Sequence, residues 1–429
     1  MSTVPGLKIN PDRLWKDLHY TCQWGTGERW GQEDHQTGMQ RLALSDDDKK
    51  ARDWFVSTAE SLGCKVTVDS LGNTFAIRPG ENDGPPTVAG SHLDTQPTGG
   101  RYDGILGVHA GIEMLKVLQD NNIRTRYPVG VVNWTNEEGA RFPCSMIASG
   151  VWAGAYTLEH AHSLADVDAS GGTMGSELER IGYLGKVPTS HKSMRLAAHF
   201  ELHIEQGPIL EKEERKIGIV TGAQAYEWNY IHLKGRESHS GTTALQYRRD
   251  PLLAAAQMIR DANQVAKEYG GLATTGILKL KPGSINTIPG EVLFSLDVRA
   301  GQDSTLEQML HEIRKQFSHI ASTNGLVDIT WTQTTKSQAV QFQKEAISCV
   351  RQACDKLFGE KTDQWTMDMI SGAGHDSVYT SRYTPTAMIF VPCKDGISHN
   401  SREYCKKEDC ANGAQVLMHS VLAYDTQRK

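Results

Sequence analysis

The sequence predicts an α/β protein of two domains. The larger is built on a mixed, mostly parallel sheet, and a smaller α+β sandwich is inserted into it. Three observations carry this. At 429 residues the chain is long for one compact core. Residues 86–136 run strand, helix, strand at the spacing of a βαβ unit. Around residue 225 this pattern gives way to alternating strands and long helices, and near 341 the earlier style returns. The expected divisions are 1–224 and 341–429 for the larger domain and 225–340 for the insert.

In order, DDKKARDWFVSTAESLG (47–63) spaces its apolar residues helically and stops at a glycine, so it predicts a helix. CKVTVDSLGNTFAIRPG (64–80) alternates about a turn and predicts a hairpin. PTVAGSH (86–92) is a short buried strand, ILGVHAGIEMLKVLQDNN (105–122) a helix, and YPVGVVNWTN (127–136) a second strand. AAHFELHIEQ (197–206) reads as a further strand. Within the insert, EWNYIHLKG (227–235), GEVLFSLDVRA (290–300) and LVDITWTQ (326–333) predict strands. DPLLAAAQMIRDANQVAKEYG (250–270) and LEQMLHEIRKQFSHIA (306–321) predict helices, an order that suits a split βαβ sandwich. A helix over KEAISCVRQACDKLFG (344–359) and a strand over TPTAMIFVPC (384–393) return to the larger domain.

Composition sets outer limits. Apolar residues at 38% and charged ones at 22% belong to an ordinary soluble globular chain. A net charge of −6 offers no footprint for nucleic acid or an anionic membrane. MSTVPGLKIN carries no basic-flanked apolar leader, and no apolar run reaches spanning length. The eight cysteines are scattered singly, with Cys349/Cys354 and Cys405/Cys410 too far apart in sequence for a zinc knuckle. Free thiols in a reducing compartment, hence a cytoplasmic location, are the expectation.

Ligands of open α/β sheets collect at the carboxyl ends of strands. Four polar clusters fall there: SHLDT with His92 and Asp94, NEEG with Glu137 and Glu138, LHIEQG with His203, and GISHNS with His399. RYDGILG adds Asp103 at the start of a helix. Imidazoles and carboxylates are the ligand types of zinc and its neighbours, but one catalytic zinc needs only three of them. Two ions bridged by a carboxylate would use them all. Neighbouring side chains at a strand end point apart, so Glu138 can bind metal while Glu137 faces the attacking water as general base. Each piece alone has an ordinary reading. A lone histidine is usually a hydrogen-bonded core or surface residue, and His109, His160, His162, His191, His311 and His319 are read so. A lone Glu-Glu is usually a solvated helix face. The coincidence at strand ends outweighs these.

Seven stretches together then show a resemblance: GSHLDTQPTGGRYDGILGV, NEEGARFP, HFELHIEQGPILE, GTT, NTIPGEVLFSLDVR, SGAGHDS and MIFVPCKDGISHN. They resemble the N-carbamoyl amino acid amidohydrolases, a branch of the di-zinc aminoacylase/carboxypeptidase superfamily, over about residues 28–425. Within the branch, RWGQE and DWF…SLGCKV look most like the fungal β-alanine synthases (β-ureidopropionases). The resemblance implies hydrolysis of the ureido C–N bond of N-carbamoyl-β-alanine or N-carbamoyl-L-α-amino acids to amino acid, CO2 and ammonia. Allantoate amidohydrolase, or a dipeptidase or aminoacylase of the superfamily, is the alternative.

The same resemblance implies two divalent metal ions, zinc foremost, with manganese, cobalt or nickel able to replace it. His92 and His203 would hold one, Glu138 and His399 the other, and Asp103 would bridge them. Asp94 would orient His92, and Glu137 would be the base. Arg299 would grip the substrate carboxylate, while Gln206, Asn286, Gly374 and His375 would surround the carbamoyl and carboxylate groups. His239 would stabilise the oxyanion across a dimer interface. A small-molecule substrate, a homodimer and a lid role for the insert follow, with no nucleic-acid or membrane partner. Two departures stand out. HSGTTA (239–244) replaces the usual HAGTTP or HTGTTP, and losing that proline frees a turn's backbone. FPCSMIASGVWAG (142–154) looks more like the bacterial L-carbamoylases and allantoate amidohydrolases.

Overall fold

The apolar runs marked as strands in the larger domain assemble into one mixed sheet in the computed structural model, which describes residues 6–168 and 171–428. Four central strands, Val129–Trp134, Thr87–His92, Ala198–Ile204 and Thr386–Val391, lie side by side and parallel. Every residue in them is buried, as the strands of a parallel sheet covered on both faces must be. The flanks are antiparallel. Lys65–Val68 and Thr74–Arg78 form a hairpin whose second strand pairs with Val129–Trp134. On the other side Ile217–Ala223 runs antiparallel to Thr386–Val391, with Thr366–Ser371 beside it. The expectation of a mostly parallel sheet therefore holds for the centre alone. Of the antiparallel pairs only the hairpin Lys65–Val68/Thr74–Arg78 has a short connection, which can only join antiparallel neighbours; the others bring together strands far apart in the sequence.

Helices Pro11–Thr21, Ile105–Asp120, Lys344–Phe358 and Lys407–Gln427 pack on one another and share a core with the sheet. The first and last of these have no counterpart among the sequence expectations. Pro11–Thr21 carries clear signals, with Pro11 in the first turn and the Asn10 side chain accepting the N–H groups of Asp12 and Arg13. Lys407–Gln427 is buried nearly all round, including Asp409, Gln415, His419 and Asp425, so no apolar stripe marks it. The eight cysteines are all free, and all but Cys144 are buried.

The chain divides into two compact units, residues 1–222 with 342–429, and residues 223–341. The second unit has its own antiparallel sheet, in the order Leu272–Thr274, Glu291–Ala300, Ala225–Lys234, Asp328–Ser337, with Leu278–Lys281 also pairing with Glu291–Ala300. Alternate residues of Glu291–Ala300 are buried, which is the mark of a sheet covered on one face. Helices Pro251–Tyr269 and Asp303–Thr323 supply the cover. Among the described residues, no helix is long and apolar enough to cross a membrane.

Candidate metal centre

Because the four central strands are parallel, their carboxyl ends share one edge of the sheet. His92 ends the first of these strands, Asn136 to Glu138 follow the second, His203 sits one residue before the end of the third, and His399 lies in the loop after the fourth. Asp103 Oδ1 lies 3.0 Å from His203 Nε2 and 3.5 Å from His92 Nε2. Asp103 Oδ2 lies 3.5 Å from His399 Nε2, which is 3.4 Å from Glu138 Oε2. Asp103 thus faces His92 and His203 with one oxygen and His399 with the other. The glutamate doublet splits, since Glu137 Oε2 is 3.5 Å from His92 Nε2 while Glu138 turns to His399.

Backbone geometry makes this convergence. Asn136, Gln206 and His399 all have φ between +53° and +60°, a region that non-glycine residues rarely adopt. Residues held so against preference collect at functional sites. Gly104 has φ +66° and ψ −47°, and Ile105 N–H donates across it to the Asp103 carbonyl at 2.7 Å. That tight turn aims the Asp103 side chain back at the histidines. A Cβ on Gly104 would stand 2.3 Å from the His92 ring, so only glycine fits.

The donor set suits cations. His92 Nδ1 donates to the Asp94 carbonyl at 2.9 Å, and His203 Nδ1 to the Ile204 carbonyl at 2.9 Å. A carbonyl oxygen only accepts, so each ring carries its proton on Nδ1 and presents the Nε2 lone pair to carboxylate oxygens. His92 Nε2 is buried and makes no hydrogen bond. An imidazole lone pair facing a carboxylate oxygen is repulsive unless a cation, a proton or a metal ion, lies between them, and these groups draw protons strongly. A hydrogen bond to Asp103 pushes His399 up to about 9, and burial pushes Glu138 up to about 7 and Glu137 well above its ordinary range. Burial would lower His92, but Glu137 and Asp103 beside it raise it well above its usual value. His92, Asp103 and His203 form one group able to hold an ion, and Asp103, Glu138 and His399 a second that shares Asp103.

The contact of Asp94 with His92 runs through its backbone carbonyl. The carboxylate instead accepts the backbone N–H of Glu137 at 3.3 Å and of Glu138 at 3.2 Å, fixing the doublet. Gln206 Nε2 donates to Asp103 Oδ2 at 2.8 Å. The ring of His375 lies 4.6 Å from that of His203, edge to face, and burial pushes its pKa down to about 3. A Cβ on the adjacent Gly374 would come within 2.6 Å of Met146 Cε, so the end of the Met146 side chain would have to shift. His239, Asn286 and Arg299 belong to the second unit. There His239 Nδ1 accepts the N–H groups of Gly241 and Thr242, and Ser240 N–H donates to the Asn286 carbonyl. The Arg299 guanidinium lies against Asp297 at 2.8 Å and over the Tyr226 ring.

Sequence reasoning missed Gln96. Its N–H and Nε2 hold the two oxygens of Glu138 at 3.1 and 2.8 Å. Its place directly after SHLDT was the available signal.

An α/β sheet edge that presents three imidazoles and three carboxylates in contact fits the class of metal-dependent hydrolases. The chain belongs to peptidase family M20/M25/M40, whose model matches residues 88–423, and it is a hydrolase of amide bonds. It is 40% identical to the N-carbamoyl-L-amino-acid amidohydrolase of Rhizobium meliloti, over 97% of this chain and 96% of that one. Against the N-carbamoyl-L-amino acid amidohydrolase of Geobacillus stearothermophilus it is 34% identical, over 96% and 98%. It is also similar to the crystal structure of an amidase of the hydantoinase/carbamoylase family from Burkholderia multivorans. That likeness has a TM-score of 0.91 and 43% identity, covering 99% of this chain and 100% of that one.

Proposed function

We propose that the protein hydrolyses N-carbamoyl-L-α-amino acids, with N-carbamoyl-β-alanine the second substrate to be weighed, releasing the amino acid, CO2 and ammonia. The observation that carries the reading is the split glutamate doublet beside a shared Asp103, in a chain 40% identical over nearly its whole length to an N-carbamoyl-L-amino-acid amidohydrolase. The residues that would hold the ions are His92 and His203 for one and Glu138 and His399 for the other, with Asp103 between. Two divalent ions there, zinc in our reading, would polarise the ureido carbonyl and offset the carboxylate charge. Glu137 takes the proton of the attacking water and delivers it to the amino nitrogen as the C–N bond breaks. The carbamate released falls apart to CO2 and ammonia. Gln206, which donates to Asp103, and His375, which packs on His203, are assigned with Gly374 to the carbamoyl group.

Three assignments rest on position within the resembling stretches ESHSGTT and NTIPGEVLFSLDVR. Arg299 binds the substrate carboxylate through its planar fork of donors, Asn286 assists it, and His239 stabilises the oxyanion. The second unit is assigned the lid and dimerisation role. The test is ammonia release by metal-replete protein from N-carbamoyl-L-amino acids, N-carbamoyl-β-alanine and allantoate, beside a Glu137→Gln control. Turnover of a carbamoyl amino acid that vanishes in the control is the expected result. Turnover of allantoate alone, or silence on all three with metal bound, would overturn the assignment.

A further inference from the structure

Glu403 is a buried acid, 1% exposed, that the chemistry above does not use. It lies four residues after His399 in SHNSRE. Its Oε1 accepts the backbone N–H groups of both Tyr102 and Asp103, each at 3.0 Å. Its Oε2 lies 3.0 Å from the Ser398 hydroxyl, and the same hydroxyl lies 2.9 Å from Asp103 Oδ2. The bridging residue is therefore gripped at its backbone and at its side chain from the segment that carries His399. Gly100 leaves the space for this, since a Cβ there would stand 2.2 Å from Glu403 Oε1. The gripping turn is itself braced, with Glu403 N–H donating to the Asn400 carbonyl at 3.0 Å and Arg402 N–H to Asn400 Oδ1 at 2.9 Å.

We propose that Glu403, acting with Ser398, is a positioning residue that sets Asp103 in register with His399, so that both ions are held at once. A carboxylate shared between two ions tolerates little displacement, because ligand distances hold to about ±0.2 Å. Upstream of Asp103 the chain is fixed where Gly99 pairs with Met39 and Arg101 donates to Thr37, and downstream the helix begins at Ile105; the Asp103 N–H itself is held by Glu403. The inference rests on the two-metal reading of the cluster and is independent of the substrate.

The test is equilibrium competition for cobalt(II) between a chelator and the full-length protein, with the visible spectrum of the bound cobalt recorded alongside. Glu403→Ala is expected to weaken retention of the second equivalent by about 10–100-fold and to alter the cobalt bands. Glu403→Gln keeps an acceptor for both N–H groups and is expected within about threefold of the parent, a rescue that general destabilisation does not predict. Ser398→Ala is expected to weaken retention about tenfold with the melting temperature of the metal-free protein unchanged. A folded Glu403→Ala variant with parental affinity and spectrum would overturn the proposal. Should that variant fail to fold, parental affinity in Ser398→Ala overturns it instead. Failure of the unmodified protein to hold two equivalents would sink the two-metal reading itself, and this inference with it.

Discussion

Replacing Gly104 by alanine tests the geometry of the centre without replacing any ligand. The added Cβ would stand 2.3 Å from His92 Cε1 and Nε2 and 2.4 Å from Nδ1, where real Cβ atoms essentially never come closer than 3.0 Å. Backbone relief is blocked, because φ +66° with ψ −47° is a conformation that alanine avoids. The ring must therefore retreat by about 0.7 Å, beyond the ~0.5 Å within which a functional constellation works. It has nowhere to go, being buried and tethered through Nδ1 to the Asp94 carbonyl. Strain of this kind costs about 1–3 kcal/mol. A misplacement near 1 Å costs about 100-fold in rate. The assay is metal content after dialysis together with kcat on the best carbamoyl substrate. The expected outcome is loss of the ion at His92 and His203, with activity down about 100-fold. A Gly104→Ala protein with a full complement of metal and parental kcat would refute the claim that this tight turn sets the site.

Two further outcomes follow from the same coordinates. Glu137→Gln should keep both ions, since Glu137 is not needed as a ligand, and should lower kcat by about 10²–10⁴-fold; loss of metal in that variant would make Glu137 a ligand instead of a base. His199 is buried between Trp134, Ser377 and Thr380, and burial pushes its pKa from 6.5 down to about 4. The folded state then binds fewer protons than the unfolded state between pH 6.5 and 4, so this residue's contribution to stability falls as pH drops through that window. At about 1.4 kcal/mol per pKa unit, the cost by pH 4 is about 3 kcal/mol. Urea unfolding of His199→Gln should accordingly lose less stability than the parent between pH 7 and pH 4.5, and equal losses would contradict the assignment.

The α/β class was legible because buried strands and helical periods alternate within short windows. Thr87–His92, Ile105–Asp120 and Val129–Trp134 each carry a local signal strong enough to place them. The edge where ligands gather was legible for the same reason, since each of His92, Glu138 and His203 sits within a few residues of a strand end. The antiparallel flank at Ile217–Ala223 was less visible than the hairpin at 64–80, because pairing direction there depends on which distant strands meet and not on their own residues. Lys407–Gln427 was invisible because burial on all sides erases the stripe that marks a helix. Gln96 and Glu403 were silent for a different reason. Gln96 acts on Glu138, 42 residues away, and Glu403 on Asp103, 300 residues away, so tertiary proximity alone gives them a role. Asp94 shows a third limit. Its place two residues after His92 was evident, but whether side chain or carbonyl holds the ring is decided by backbone geometry.

The central claim is that one edge of the sheet holds two ions through a shared carboxylate. Anomalous diffraction from a zinc-loaded crystal, recorded on both sides of the zinc edge, tests it most directly. Two peaks per chain are expected, one within bonding distance of His92 and His203, the other of Glu138 and His399, with Asp103 reaching both. A single peak, or two peaks that do not share Asp103, would contradict it.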